Sequence, residues 1–175
     1  GIPIIAGAAD QPASAIGIGV VSPGMLSDTL GSSGVLFMQV DRMLYDPYGR
    51  INTFSHVVEN NYALMGVTQG CGISMKWLID QFYDNDTEPY QIMNQDVSDT
   101  VPDNDLYFLP YLMGERTPIN NAQAKGVLFG ITNLTTRAHI ARAVMEGVSF
   151  SQYHAYEVFK DLGRIADTLH LGGGG

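Results

Sequence analysis

Apolar residues recur along this chain with two periods, and each period predicts its own kind of element. From about Thr135 to Leu162, positions Ile140, Val144, Val148, Ser151, Ala155, Phe159 and Leu162 share one helical face. Thr135 or Thr136 can cap the start of that helix, and Gly163 can end it at C′. The stretch "ISMKWLIDQFY", 73–83, repeats the spacing more briefly through Ile73, Trp77, Leu78 and Gln81/Phe82. "QPASAIGIGVV" reads as a short helix with Asp10 as candidate N-cap and Pro12 in its first turn, broken by Pro23-Gly24.

The other period is that of strands. "IPII", 2–5, is a short apolar strand, and "MLSDTL" and "GVLFMQV" flank "GSSG" as a hairpin-like ribbon. "LYFLPYL", 106–112, predicts a buried strand or extended segment, and "DTLHL" a strand feeding the terminal glycines. Loops and edge strands are expected from Asp41 to Asn61, and a solvated loop over the acidic 84–105. "GERTPINNAQAKG" predicts an irregular loop around Pro118. The fold class is α/β, without internal repeats and without a second domain.

Composition narrows the class. The 175 residues are 45% hydrophobic and 15% charged, a globular balance with material for a core. The net charge of −9 disfavours nucleic acid and anionic membrane surfaces as partners. No apolar run approaches the ~20 residues of a membrane span. The single cysteine, Cys71, excludes an intramolecular disulfide framework and predicts a cytoplasmic protein. "GIPIIAGAAD" has neither the basic start of a signal peptide nor an initiator Met, and "GGGG" follows a strand at 172–175. Both ends read as cuts in a longer polypeptide.

Familiar chemistry is sparse. His56, His139, His154 and His170 lack metal-ligand spacing, and no P-loop or complete G-x-G-x-x-G occurs. Three features remain. Asp10 between a strand and a helix is, taken alone, more readily a cap than a base, although a carboxylate there could accept a proton. "GSSG" is first a tight turn, and second a nest of N–H groups and hydroxyls for phosphate. The final glycines form a flexible end, or a place where backbone approaches a flat ligand.

"GVLFGITNLTTRAHIARAVMEG", 126–147, resembles the second signature of the FGGY carbohydrate kinases through Gly126, Leu128, Gly130, Ile131, His139, Ile140, Ala143, Val144, Met145 and Glu146. "FLPYLMGERTP" and "FSHVVENNYALMGVTQGCGISMKWL" resemble the xylulokinase and gluconate kinase branches, and the likeness runs over essentially the whole chain. The resemblance implies an actin-like, ribonuclease-H-like ATPase fold, incomplete at both ends. Residues 1–175 would be part of the C-terminal, nucleotide-binding lobe, with the N-terminal lobe of the same protein as a partner.

The same resemblance assigns roles. Asp10, in "AGAADQ", corresponds to the catalytic base, and Gln11 to a position that contacts substrate hydroxyls. Xylulokinases usually carry Asn at that second position and glycerol kinases Gln, so the sugar stays open. Gly31, Ser32, Ser33 and Gly34 correspond to the phosphate loop, Gly72 to a glycine lining the nucleotide site, and Gly173 and Gly174 to the adenosine loop. ATP and Mg²⁺ would be the cofactors, with magnesium contacts largely in the other lobe. The implied reaction is γ-phosphate transfer to a sugar, D-xylulose first and gluconate as rival. An actin-like ATPase without sugar chemistry is the alternative of another class. Oligomeric state stays open, a homodimer included. Arg142/Glu146 read as scaffold, Trp77 and Tyr153/Tyr156 as core or partial core, and Glu115 and Arg116 as scaffold ahead of a contact with the cleft.

Overall fold

A computed structural model describes residues 2–4, 7–102 and 105–174 of the chain. Helix α1 (Asp10–Gly17) precedes strands β1 (Met25–Leu30), β2 (Gly34–Val40), β3 (Asn52–Ser55) and β4 (Tyr62–Thr68). Helices α2 (Gly72–Phe82) and α3 (Pro89–Asp99) follow, then β5 (Tyr107–Leu109), β6 (Val127–Phe129), α4 (Arg137–Asp161) and β7 (Thr168–Gly173). The main sheet has the order β3-β4-β2-β1-β7, and β5 and β6 form a separate ribbon. Only β7 runs parallel to its neighbour β1; the other pairs are antiparallel.

Strand β2 sits in the middle of the sheet and is buried along its whole length, which suits its unbroken apolar run. Its two faces belong to different cores. Phe37 packs with Ala63, Ala15 and Val20 on the α1 side. Leu36, Met38 and Val40 pack with Leu26, Leu64, Ala155, Val158 and Phe159 on the α4 side. A third core joins α2, α3, β5 and the first half of α4 through Leu78, Ile79, Tyr83, Met93, Phe108 and Val144. Trp77, partly buried, stacks on Phe108 with ring centroids 5.7 Å apart.

Helix α4 follows its sequence pattern closely. Thr136 is the N-cap, and its hydroxyl accepts the His139 N–H while the His139 ring returns a bond to the Thr136 N–H. Gly163 lies just past the end with φ +73°, and the Arg164 N–H reaches back to the Phe159 carbonyl. The hairpin, α2, the irregular 114–126 loop, edge strand β3 and β7 also stand where the pattern put them.

Other expectations need correction. Residues 2–4 are not strand, and Ile2 and Ile4 are almost fully exposed; Ile5, the last residue of that predicted strand, lies outside the described residues. The first helix ends at Gly17, because the Val20 N–H takes the Ala15 carbonyl and Gly19 turns the chain at φ +88°. Its N-cap is Ala9, with Asp10 the first helical residue. The acidic 84–105 segment contains α3: Pro89 opens it and Met93 is buried in the third core. In α2 the buried residues are Ser74, Leu78 and Ile79, whereas Gln81 is exposed. The pattern assigned nothing to 62–68, which is the internal strand β4.

Two phenylalanines of α4 test this division. Phe159→Ala opens a cavity under the sheet and costs about 3–5 kcal/mol, whereas Phe150→Ala, on the exposed side, costs under about 1 kcal/mol. Denaturant unfolding of both variants checks it; equal losses would contradict the assignment of the buried face.

Candidate functional site

The turn between β1 and β2 is Gly31, Ser32 and Ser33, closed by the register pair Leu30–Gly34. Its conformation is held by backbone. The Gly31 N–H donates to the Ser33 carbonyl at 3.0 Å, and the Gly72 and Ile73 N–H groups donate to the Gly31 and Ser32 carbonyls at 2.8 and 3.2 Å. Two of the four free N–H groups at the α2 N-terminus are therefore spent on the turn. With the Gly31 N–H also engaged, the nest expected from "GSSG" reduces to the later N–H groups and the hydroxyls of exposed Ser32 and half-buried Ser33.

Absent side chains make this approach possible. A Cβ on Gly72 would stand 2.5 Å from the Gly31 carbonyl oxygen. Gly173, at φ +100°, pairs with Leu30, where a Cβ would collide with the Leu30 carbonyl; Gly174 donates its N–H to that same carbonyl at 3.2 Å. A Cβ added to Gly174 would meet open space. The predicted phosphate turn, Gly72, Gly173 and Gly174 therefore converge at one end of the sheet.

Asp10 and Gln11 line a different place. With Gly7–Pro12, Phe37, Phe54, His56 and Met65 they surround a pocket of about 420 Å³ on the α1 side of the sheet. Asp10 is exposed, and its carboxylate accepts the Gln11 N–H at 2.8 Å. His56 was set aside in the sequence because it has no metal spacing. It is 7% exposed, and burial pushes its pKa below the usual imidazole range, so the ring is neutral. Its Nδ1 accepts the Val58 N–H, which puts the ring hydrogen on Nε2, a buried atom without a partner among the described residues.

Behind the turn lies a buried polar group. Gln152 of α4 donates to the Thr68 hydroxyl at 2.8 Å, and Asp28 of β1 lines a cavity of about 480 Å³ with Leu36, Gln152 and Tyr156. Burial pushes the Asp28 carboxyl up to about 6, and burial followed by the Asp28 charge pushes the Cys71 thiol up to about 11, leaving it a thiol at neutral pH. Glu115 is buried as the scaffold reading requires. Its carboxylate accepts the N–H groups of Gln69 and Arg116, each at 2.7 Å. Thr117 accepts the Val67 N–H and donates to the Arg50 carbonyl, so this loop closes the half of β4 that β3 does not cover. One sequence signal could have exposed Gln152: a glutamine at a core position of the α4 pattern, four residues after Val148.

Residues 26–175 match the description "FGGY family of carbohydrate kinases, C-terminal domain". The chain belongs to this family. It is 35% identical over 175 residues to a xylulose kinase of Staphylococcus epidermidis, covering 99% of this chain and 35% of that protein. A gluconokinase of Bacillus licheniformis is 32% identical, with 94% of this chain and 33% of that protein covered. The crystal structure of ligand-bound xylulose kinase from Lactobacillus acidophilus superposes with a TM-score of 0.85 at 29% identity, over 96% of this chain and 34% of that one. The fold is thus the actin-like ATPase fold of the FGGY kinases. The chain spans about a third of the length of the curated relatives it matches. No helix among the described residues is long and apolar enough to cross a membrane.

Two variants probe the site's construction. Gly72→Ala drives a methyl into the Gly31 carbonyl and lowers stability by about 1–3 kcal/mol, read by denaturant unfolding; an unchanged midpoint would contradict the close approach. Asp28 supplies a pH test. Its folded pKa of about 6 lies above the ordinary carboxylate value of 3.8, so the folded state binds the proton more tightly between those values. Stability therefore falls as pH rises from about 4 to about 6 and then levels. Asp28→Asn removes that dependence, so its gain over wild type appears near pH 7 and shrinks towards pH 4. A gain independent of pH would sink the assignment.

Proposed function

We propose that residues 1–175 are part of the C-terminal, nucleotide-binding lobe of an ATP-dependent sugar kinase that works together with an N-terminal lobe of the same protein. The observation that carries this reading is the meeting of the serine-bearing turn, the α2 start and the β7 glycines at one end of the sheet, in a chain of the FGGY family. The Ser32 and Ser33 hydroxyls and the N–H groups after Gly31 take the terminal phosphates of ATP. Gly174 leaves open space for the rest of the nucleotide, and Gly72 and Gly173 let the backbone close up beside it. Family membership supports ATP as the phosphate donor.

Asp10 is the base. It takes the proton from a terminal sugar hydroxyl while that oxygen attacks the γ-phosphorus and ADP leaves. Gln11 holds a neighbouring hydroxyl. Mg²⁺, when bound, offsets charge on the phosphates. No cluster of three or more His, Cys, Asp or Glu suited to a metal exists among the described residues, and the protein contacts of the ion would come largely from the N-terminal lobe. Phosphate oxygens and water are its natural ligands. D-xylulose, giving xylulose 5-phosphate, is the favoured substrate, on the strength of the xylulose kinase relatives; gluconate is the rival, on that of the gluconokinase.

The test is ADP release by the full-length polypeptide with MgATP and D-xylulose, L-ribulose, gluconate or glycerol. One sugar stimulates turnover strongly, and Asp10→Asn lowers kcat by about 10²–10⁴-fold. Steady hydrolysis that no sugar stimulates and the variant does not change would indicate an actin-like ATPase instead. The 175 residues alone bind nucleotide weakly and phosphorylate nothing.

A further inference from the structure

We propose that Gln152 is a positioning residue for the 31–34 turn. Its amide fills the space that Gly34 leaves empty, and so sets where β2 begins and where Ser32 and Ser33 stand. The inference rests on the reading of that turn as the phosphate site.

Gln152 occupies a core position of α4 and is 6% exposed. An apolar side chain would fill such a place without penalty, whereas a buried amide needs partners. Its partners all belong to the support of the turn. A Cβ on Gly34 would fall inside the Gln152 amide and 2.7 Å from the Thr68 hydroxyl. Thr68 accepts the amide N–H at 2.8 Å and is also the register partner of Gly34 on β4. One side chain therefore reaches both the strand leaving the turn and that strand's partner. Gln152 Nε2 is spent on Thr68, whereas its Oε1 has no partner among the described residues and the side chain also borders the cavity beside Asp28; the proposed role runs through Nε2, Thr68 and Gly34.

Steady-state kinetics on the full-length polypeptide separate KM for MgATP from KM for the sugar that supports turnover. Q152L keeps the volume and removes the amide. It raises KM for MgATP about tenfold and leaves the sugar KM within about twofold. G34A alone lowers kcat/KM at least about a hundredfold, and adding Q152A restores at least about a tenth of the loss factor by vacating the space. S32A/S33A serves as the reference for the turn itself and raises KM for MgATP. If S32A/S33A does so while Q152L shifts neither KM, shifts both alike, or only lowers the melting temperature, the proposal fails and the phosphate reading survives. If S32A/S33A leaves KM for MgATP unchanged, the phosphate reading falls and takes the proposal with it. Should Q152L not fold, G34A/Q152A decides together with G34A/Q152A/T68A, which also clears the Thr68 hydroxyl: no recovery in either overturns the wedge.

Discussion

The arrangement of this molecule depends on the burial of one face of α4. That helix enters two cores. Ala141, Ala143 and Val144 pack among α2, α3 and β5, whereas Ala155, Val158 and Phe159 pack beneath the main sheet. Gly147 lies between these groups, and any Cβ there would collide with the Phe108 carbonyl, so the helix seats directly on β5. Both ends are tied down by charge. Arg137 pairs with Asp86 and Asp96 and lies over the Tyr83 ring at 4.3 Å, and Asp161 accepts from Arg50, which also holds buried Asp46. The Arg50 guanidinium keeps the Asp46 carboxyl below the usual carboxylate range. The exposed pairs among these, Arg137 with its two aspartates and Arg50 with Asp161, add little individually, so the apolar face remains the main term.

The candidate site inherits its geometry from that bar. Ser151 and Gln152 are buried polar residues on α4 between its two apolar groups, and Gln152 is inserted beneath the β1–β2 turn. Backbone–backbone bonds at Gly72 and Gly174, in addition to the sheet ladder, then hold three chain segments within a few ångströms. Such contacts need bare backbone, which explains why the place richest in candidate residues is also rich in glycine. The turn is thus braced before any ligand arrives, which is what positioning of a phosphate requires.

Much of this was legible in the sequence. The α4 face, its Thr136 cap and Gly163 end, the hairpin around "GSSG" and the strand before the last glycines are local patterns, each contained within one element. The segments that were misread depend on neighbours. Helix α3 is rich in acidic and polar residues and is held by Met93 in a core that also needs α2, β5 and, about fifty residues later, α4. Residues 2–4 are apolar enough for a strand but pair with none of those described. Strand β4 was passed over because its partners β2 and β3 define it as a strand more than its own composition does.

The sequence by itself determined the α/β class, the family likeness and the residue types at the candidate site, because these are written in short-range periodicity and in motifs of fixed spacing. Tertiary structure decided which of those residues meet. It brought 31–34, 72 and 173–174 together, placed Asp10 and Gln11 in a separate pocket, and turned an ordinary-looking glutamine into the support of a turn. The physical reason is that register and close backbone approach follow from the packing of distant side chains, which no local pattern encodes.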